Sequence, residues 1–227
     1  MERKRHSHIG FLVPLAGCSL YVLLYVVATT LYPGGSQQSK SSSGFSWMHN
    51  YWCNLLAADA INGQPNGARP VAFAAMFVLC ATLAVFWYVF PRYAGLRGGT
   101  RFVVQLSGFL SMALVVFIFT RFHDAIINAA GFFGLIALAG TFTGLRKLRW
   151  TALFAMGLVT VPIVVVNNVF YRVPGLIYYL PAIQKASFLY FLVWIGMISL
   201  AMYRRRDGIA NVGTTKARED TKEHKVS

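Results

Sequence analysis

His49, Cys53, His123 and Asp124 are the residues of this chain best equipped for chemistry. All four are acceptable zinc ligands, and His49 and Cys53 stand four apart, which puts a pair of ligands on one helix face. Such a site would suit a metal-assisted hydrolase acting on lipid. The familiar zinc signatures HExxH and paired CxxC do not occur, and the one HxH, His6 and His8, lies in the N-terminal end segment. The competing reading makes His49 and Cys53 interfacial residues that hydrogen-bond to neighbouring helices. No motif implies a resident cofactor.

The other scarce polar groups gather nearby. Residues 44–63, "GFSWMHNYWCNLLAADAING", also carry Asn50 and Asn54. With 46–61 taken as a helix, Ser46, His49, Asn50, Cys53 and Asn54 fall within an arc of about 140°. Trp47, Met48, Tyr51, Trp52, Leu55 and Leu56 fill most of the rest, so the helix is amphipathic and suits the membrane interface. In "TRFHDAIIN", Arg121, Asp124 and Asn128 are spaced for contacts along a helix. Alternatively, Asp124 or Asn128 caps the next helix. In "VVVNNVFYR", Asn167 and Asn168 cannot both face lipid cheaply, so at least one faces the bundle or caps the helix end. In "LPAIQKASF", Lys185 either pairs with Asp124 or snorkels to the interface, and an isolated lysine favours snorkelling. Together these residues suggest a polar chamber. His49, Asn50 and Asn54 on a roof helix face His123, Asp124 and Asn168, with Arg121 or Lys185 keeping Asp124 ionised.

The elements that position these residues follow from composition. The chain has 227 residues, of which 56% are apolar and only 12% charged, with a mean hydropathy of +0.54. The apolar residues form blocks long enough to cross a bilayer, which takes roughly 20 residues. The expected spans are 9–31, 70–90, 102–119, 125–144, 151–170 and 183–203. The fold class is therefore all-α: a polytopic membrane protein with six transmembrane helices and one short amphipathic helix in the first outer loop. Residues 1–206 form the transmembrane domain, and the polar stretch 207–227 is expected to be a disordered tail. The Gly/Ser-rich start of the first loop, "YPGGSQQSKSSSG", is expected to be flexible. "GTFTG" sets Gly140 and Gly144 four apart for close helix packing.

A net charge of +14 raises the question of nucleic acid, but the basic residues cluster between spans as topology signals and no basic stripe interleaved with aromatics appears. Leaving out the distal tail, twelve of them (Arg3, Lys4, Arg5, Arg92, Arg97, Arg101, Arg146, Lys147, Arg149, Arg204, Arg205, Arg206) fall on one side, against five (Lys40, Arg69, Arg121, Arg172, Lys185) on the other. The richer side is cytoplasmic, so both termini are expected there and the polar groups face outward. Outside the two ends, the only acids are Asp59 and Asp124 and the only histidines His49 and His123, all on that outer side. Paired carboxylates within spans, a phosphate loop, a Gly-x-Ser-x-Gly elbow, an arginine voltage-sensor repeat and an internal repeat are all missing.

"YPGG" after the first span, "HNYWCNL" and six spans in about 200 residues together resemble bacterial membrane proteins grouped as a domain of unknown function. The resemblance covers most of the chain; it implies a bacterial cytoplasmic membrane and brings no activity. The alkaline-ceramidase-like superfamily of membrane metal hydrolases carries a His-x-x-x-His pair near the last span. Here Gln184 and Ser187 stand in that region, and no residue is carried over. The sequence points first to a membrane protein whose outward pocket binds a small molecule or lipid headgroup, with the bilayer as its partner. A metal-assisted lipid hydrolase and a small transporter or assembly subunit are the alternatives.

The threading has a direct test. Cys18 and Cys80 fall near mid-depth of the first two spans, whereas Cys53 lies in the outer loop. A membrane-impermeant thiol reagent applied to intact cells should label Cys53 alone. Labelling of Cys53 only after the cells are opened would reverse the topology.

Overall fold

A computed structural model describes residues 10–118, 120 and 122–223; for His123, Asp124, Asn168 and 206–223 it describes the backbone alone. Among the described residues, six helices are long and apolar enough to cross a membrane, and no strand forms beyond two isolated bridges. They are α1 (Val13–Thr30), α2 (Arg69–Tyr93), α3 (Gly98–Val115), α4 (His123–Leu148), α5 (Thr151–Arg172) and α6 (Leu180–Glu223). The last apolar span runs Ile177–Arg205, a 3-10 turn Ile177–Tyr179 followed by the first part of α6, and the tail expected to be disordered lies beyond the described side chains.

Local chemistry sets the helix ends. Pro14 and Pro70 occupy first-turn positions, where a missing N–H costs nothing. Pro181 does the same for α6, which starts before the expected residue 183. The third span sits about four residues earlier than 102–119, because Phe117 and Ile118 donate to Leu114 and Val115 (2.9 and 3.1 Å) and tighten the chain into a turn. Between α4 and α5 only Arg149 and Trp150 intervene, with Arg149 in the left-handed region at φ 57°.

The helices pack α1 on α2 and α6, α2 on α3, α3 on α4, and α5 on α6. Close crossings use residues without side chains. A Cβ on Gly140 would stand 2.0 Å from Val104 of α3, and one on Gly144 would stand 2.7 Å from Phe90 of α2. The "GTFTG" pair therefore serves internal packing. Phe86, Phe90, Trp194, Ile195 and Ile198 are fully buried. Two indole N–H groups deep in this core have partners: Trp194 donates to the Leu153 carbonyl (2.7 Å) and Trp87 to the Thr141 hydroxyl (3.3 Å). Near the short connection between α4 and α5, Phe142 meets Phe154 at 5.3 Å between ring centroids.

Residues 32–68 form a built cap over one end of the bundle, and two expectations fail there. The stretch expected to be flexible is folded in: Gly34, Gly35 and Ser36 are buried, and Gly35 N–H donates to Ser42 (2.7 Å). Gly35 has φ 84°, and a Cβ there would stand 2.3 Å from the Asn62 nitrogen, so only glycine fits. The 46–61 helix is not continuous. The loop keeps one short helix, a single 3-10 segment Trp52–Leu56, preceded by a turn at 47–49 and by extended Tyr51 (ψ 154°). Amide side chains cause the break. Asn50 Oδ1 accepts from Ser46 N–H (2.8 Å) and Asn54 Oδ1 from Tyr51 N–H (2.7 Å), bonds that compete with a helical ladder.

Asn66 closes the cap. Only 7% exposed, it donates to the carbonyls of Asn54, Leu55 and Ala57 (3.1, 3.1 and 3.0 Å) and accepts from Ala68 N–H (3.1 Å). It thereby ties the 3-10 segment to the start of α2. Asn66→Ala strands several carbonyls and should destabilise the protein by about 3 kcal/mol, read as a lower Tm in detergent. Asn66→Asp keeps the acceptor and loses the donor, so it should be no better. A wild-type Tm for Asn66→Asp would contradict this role.

Candidate functional site

The cap and the bundle meet at Lys185. It sits in the second turn of α6 and is only 6% exposed. Its Nζ donates to the Asn50 carbonyl at 2.5 Å and lies 5.8 Å from the centre of the Phe45 ring. The expected snorkelling does not occur, because the cap closes over the lysine and supplies a carbonyl in place of water. Pairing with Asp124 lies outside the described side chains. Asn50, fully buried, is held in turn: its amide donates to the Gly35 carbonyl (2.9 Å) and accepts from Ser46.

Beside Lys185 the cap drives an aromatic wedge into the bundle. Trp52 packs on Tyr25 and Tyr21 of α1 (4.9 and 5.8 Å between centroids) and on Phe188 of α6 (5.4 Å). Its Nε1 is buried and has no hydrogen-bond partner. Cys53, next in sequence, is exposed at its surface, yet burial of the thiol raises its pKa, with Lys185 opposing the shift. The thiol form is therefore favoured at neutral pH, and labelling of the exposed residue draws on its small thiolate fraction.

Beneath the wedge lies a partly open cavity of about 300 Å³ between α2, α3, α4 and α6. Leu83, Trp87, Met112, Gly131, Phe188 and Phe191 are among its walls. Polar groups in the lining are already engaged: Ser111 donates to the Ala130 carbonyl (2.8 Å) and Trp87 to Thr141. Phe188 belongs to both features, touching Trp52 on one side and the cavity on the other.

The sequence-derived site residues separate into groups. Asn50 and Lys185 are joined directly. His49 is half-buried, with Nδ1 3.2 Å from the Ser46 hydroxyl. The break at Tyr51 removes the continuous helix that put it on one face with Cys53. The amides of Asn50 and Asn54, expected to wall a chamber, are bonded to the cap's own backbone. Asn128 is exposed on α4. Arg121 and the side chains of His123, Asp124 and Asn168 lie outside the described residues, and with them the far wall of the chamber and half of the metal set. Among the described residues no three His, Cys, Asp or Glu gather. Trp52, Asn66, Ser187 and the cavity were not anticipated. Trp52 had a signal only as an apolar residue, and Asn66 only as part of a turn.

Asn167 packs as the adjacent asparagines required. It donates to Ser187 of α6 (2.8 Å) and to the Ile163 carbonyl (2.9 Å), while its Oδ1 is buried without a partner. Asn167→Leu should lower stability by about 1–2 kcal/mol, the scale of a lost interhelical bond. Ser187→Ala should cost a similar amount, and the double variant little more than either. Fully additive losses in detergent melting would show that the two do not act through one bond. No family model, curated protein or solved structure matches the chain, so its function has to be sought in its own residues.

Proposed function

We propose that the protein binds an amphiphile drawn from the bilayer, with the apolar portion in the cavity between α2, α3, α4 and α6. The cavity carries this reading. At about 300 Å³ it lies at the small end of ligand pockets. Its lining offers water few unused hydrogen-bonding groups, so it has no reason to hydrate. In a membrane the nearest molecule able to fill it is a lipid chain. The proposal includes an orientation: the cap faces away from the cytoplasm in a bacterial cytoplasmic membrane, following the bias of basic residues, so the ligand comes from the outer leaflet.

Gly131 gives the test. It lines the cavity, and a Cβ added there meets nothing within 4 Å. Gly131→Phe should fill the space without a clash at Cβ, and Gly131→Ala should leave most of it free. Native mass spectrometry from a mild detergent should find lipid retained by wild type and Gly131→Ala but lost from Gly131→Phe, whose Tm is maintained. Equal lipid on all three proteins, or none on wild type, would contradict the proposal.

A further inference from the structure

Hydrogen-bond donors outnumber acceptors where the cap meets the bundle. Lys185 carries three N–H donors and a full charge, almost wholly buried. Among the described residues its contacts are the Asn50 carbonyl and the Phe45 ring, and no carboxylate. One carbonyl satisfies one donor and neutralises no charge. Trp52 Nε1 is a donor only, buried and unused. The neighbouring Cys53 thiol is held protonated and is at best a weak acceptor. Buried charges are paired and buried donors bonded almost everywhere in proteins, so an ammonium and an orphan indole together call for an anion.

The same corner adjoins the apolar site. Phe188 lies three residues beyond Lys185 on α6, a spacing that keeps their side chains on neighbouring parts of the helix surface. Its ring touches Trp52 and lines the cavity. A chain lying in the cavity therefore ends near the donors. The cavity volume of about 300 Å³ suits one chain rather than two.

We infer that the ligand is a single-chain amphiphile with an anionic oxygen headgroup, bound by Lys185 Nζ and Trp52 Nε1. This rests on the cavity being a lipid site and adds the chemistry of the head. A carboxylate and a phosphate monoester share the required chemistry. Either offers several acceptor oxygens and a charge that matches the ammonium. A fatty acid and a lysophosphatidate are the two sources.

The test is a binding titration of the full chain in a nonionic detergent. The probes are a long-chain fatty acid, a lysophosphatidate and the fatty alcohol of the same chain length. Wild type should bind at least one anionic probe about ten-fold or more tighter than the alcohol, the scale of a charge-assisted hydrogen bond. Whichever of the two gains more identifies the source. Lys185→Met should erase the preference, bringing the acids down to the affinity of the alcohol for the same variant. Trp52→Phe, which keeps an aromatic ring on Phe188, should reduce the preference several-fold, and it carries the test if Lys185→Met does not fold. Gly131→Phe should lose all three probes. A wild type that binds the alcohol as tightly as the acids overturns the headgroup assignment and leaves the cavity as a lipid site. The assignment also fails if Lys185→Met keeps the preference, or if Asp124→Asn restores the stability lost in Lys185→Met, since Asp124 would then be the counter-ion. Absence of binding by every probe overturns the cavity reading too.

Discussion

Lys185 is a charge taken out of water, and the cap end of the protein is organised around it. Moving an ammonium out of water costs several kcal/mol even after relaxation. The Asn50 carbonyl and the Phe45 ring offset part of that. Asn50 can offer its carbonyl only because its side chain is fixed between Gly35 and Ser46. Gly35 in turn holds its place because it lacks a side chain that would strike Asn62. A chain of short contacts thus runs from a membrane helix through the whole first loop. Removing any member leaves a buried polar group without its partner, which costs more than the bond itself contributes.

The wedge follows from the same arrangement. With the cap held down by Asn50 and Asn66, Trp52 enters between α1 and α6 and stacks with Tyr21, Tyr25 and Phe188. The helices below divide the work by residue size. Small residues bring α2, α3 and α4 close, as Gly140 and Gly144 do. Aromatic residues join α4 to α5 and α6 near the end away from the cap, through Phe142, Phe154 and Trp194. The cavity lies between these regions and is walled on one side by Phe188, whose other side meets the wedge. Stability therefore resides in the tightly packed crossings, and the space left over is where binding can occur.

Much of the fold was legible because a bilayer enforces it: apolar blocks of sufficient length must be helices, and all six appear. The packing of Asn167 followed from the same rule. The first loop misled for a specific reason. Ser46, Asn50 and Asn54 are spaced by four, which imitates a helix stripe, but the two asparagine side chains take backbone N–H groups and end the turns instead. Gly34, Gly35 and the serines after them look like a linker by composition. Their order comes from partners far along the chain, such as Asn62, which no local pattern reveals. Lys185 looked isolated because its acceptor, Asn50, lies 135 residues away. The cavity was illegible because it arises from where four helices fail to meet.

Occupancy of this junction by an anionic amphiphile can be read from an experimental density map of the protein in lipid nanodiscs. Chain-like density is expected along Gly131, Phe191 and Phe188, ending in a headgroup whose oxygens lie about 3 Å from Lys185 Nζ and Trp52 Nε1. A cavity filled with water, or Lys185 bonded to the Asp124 carboxylate with no density beside it, would contradict it.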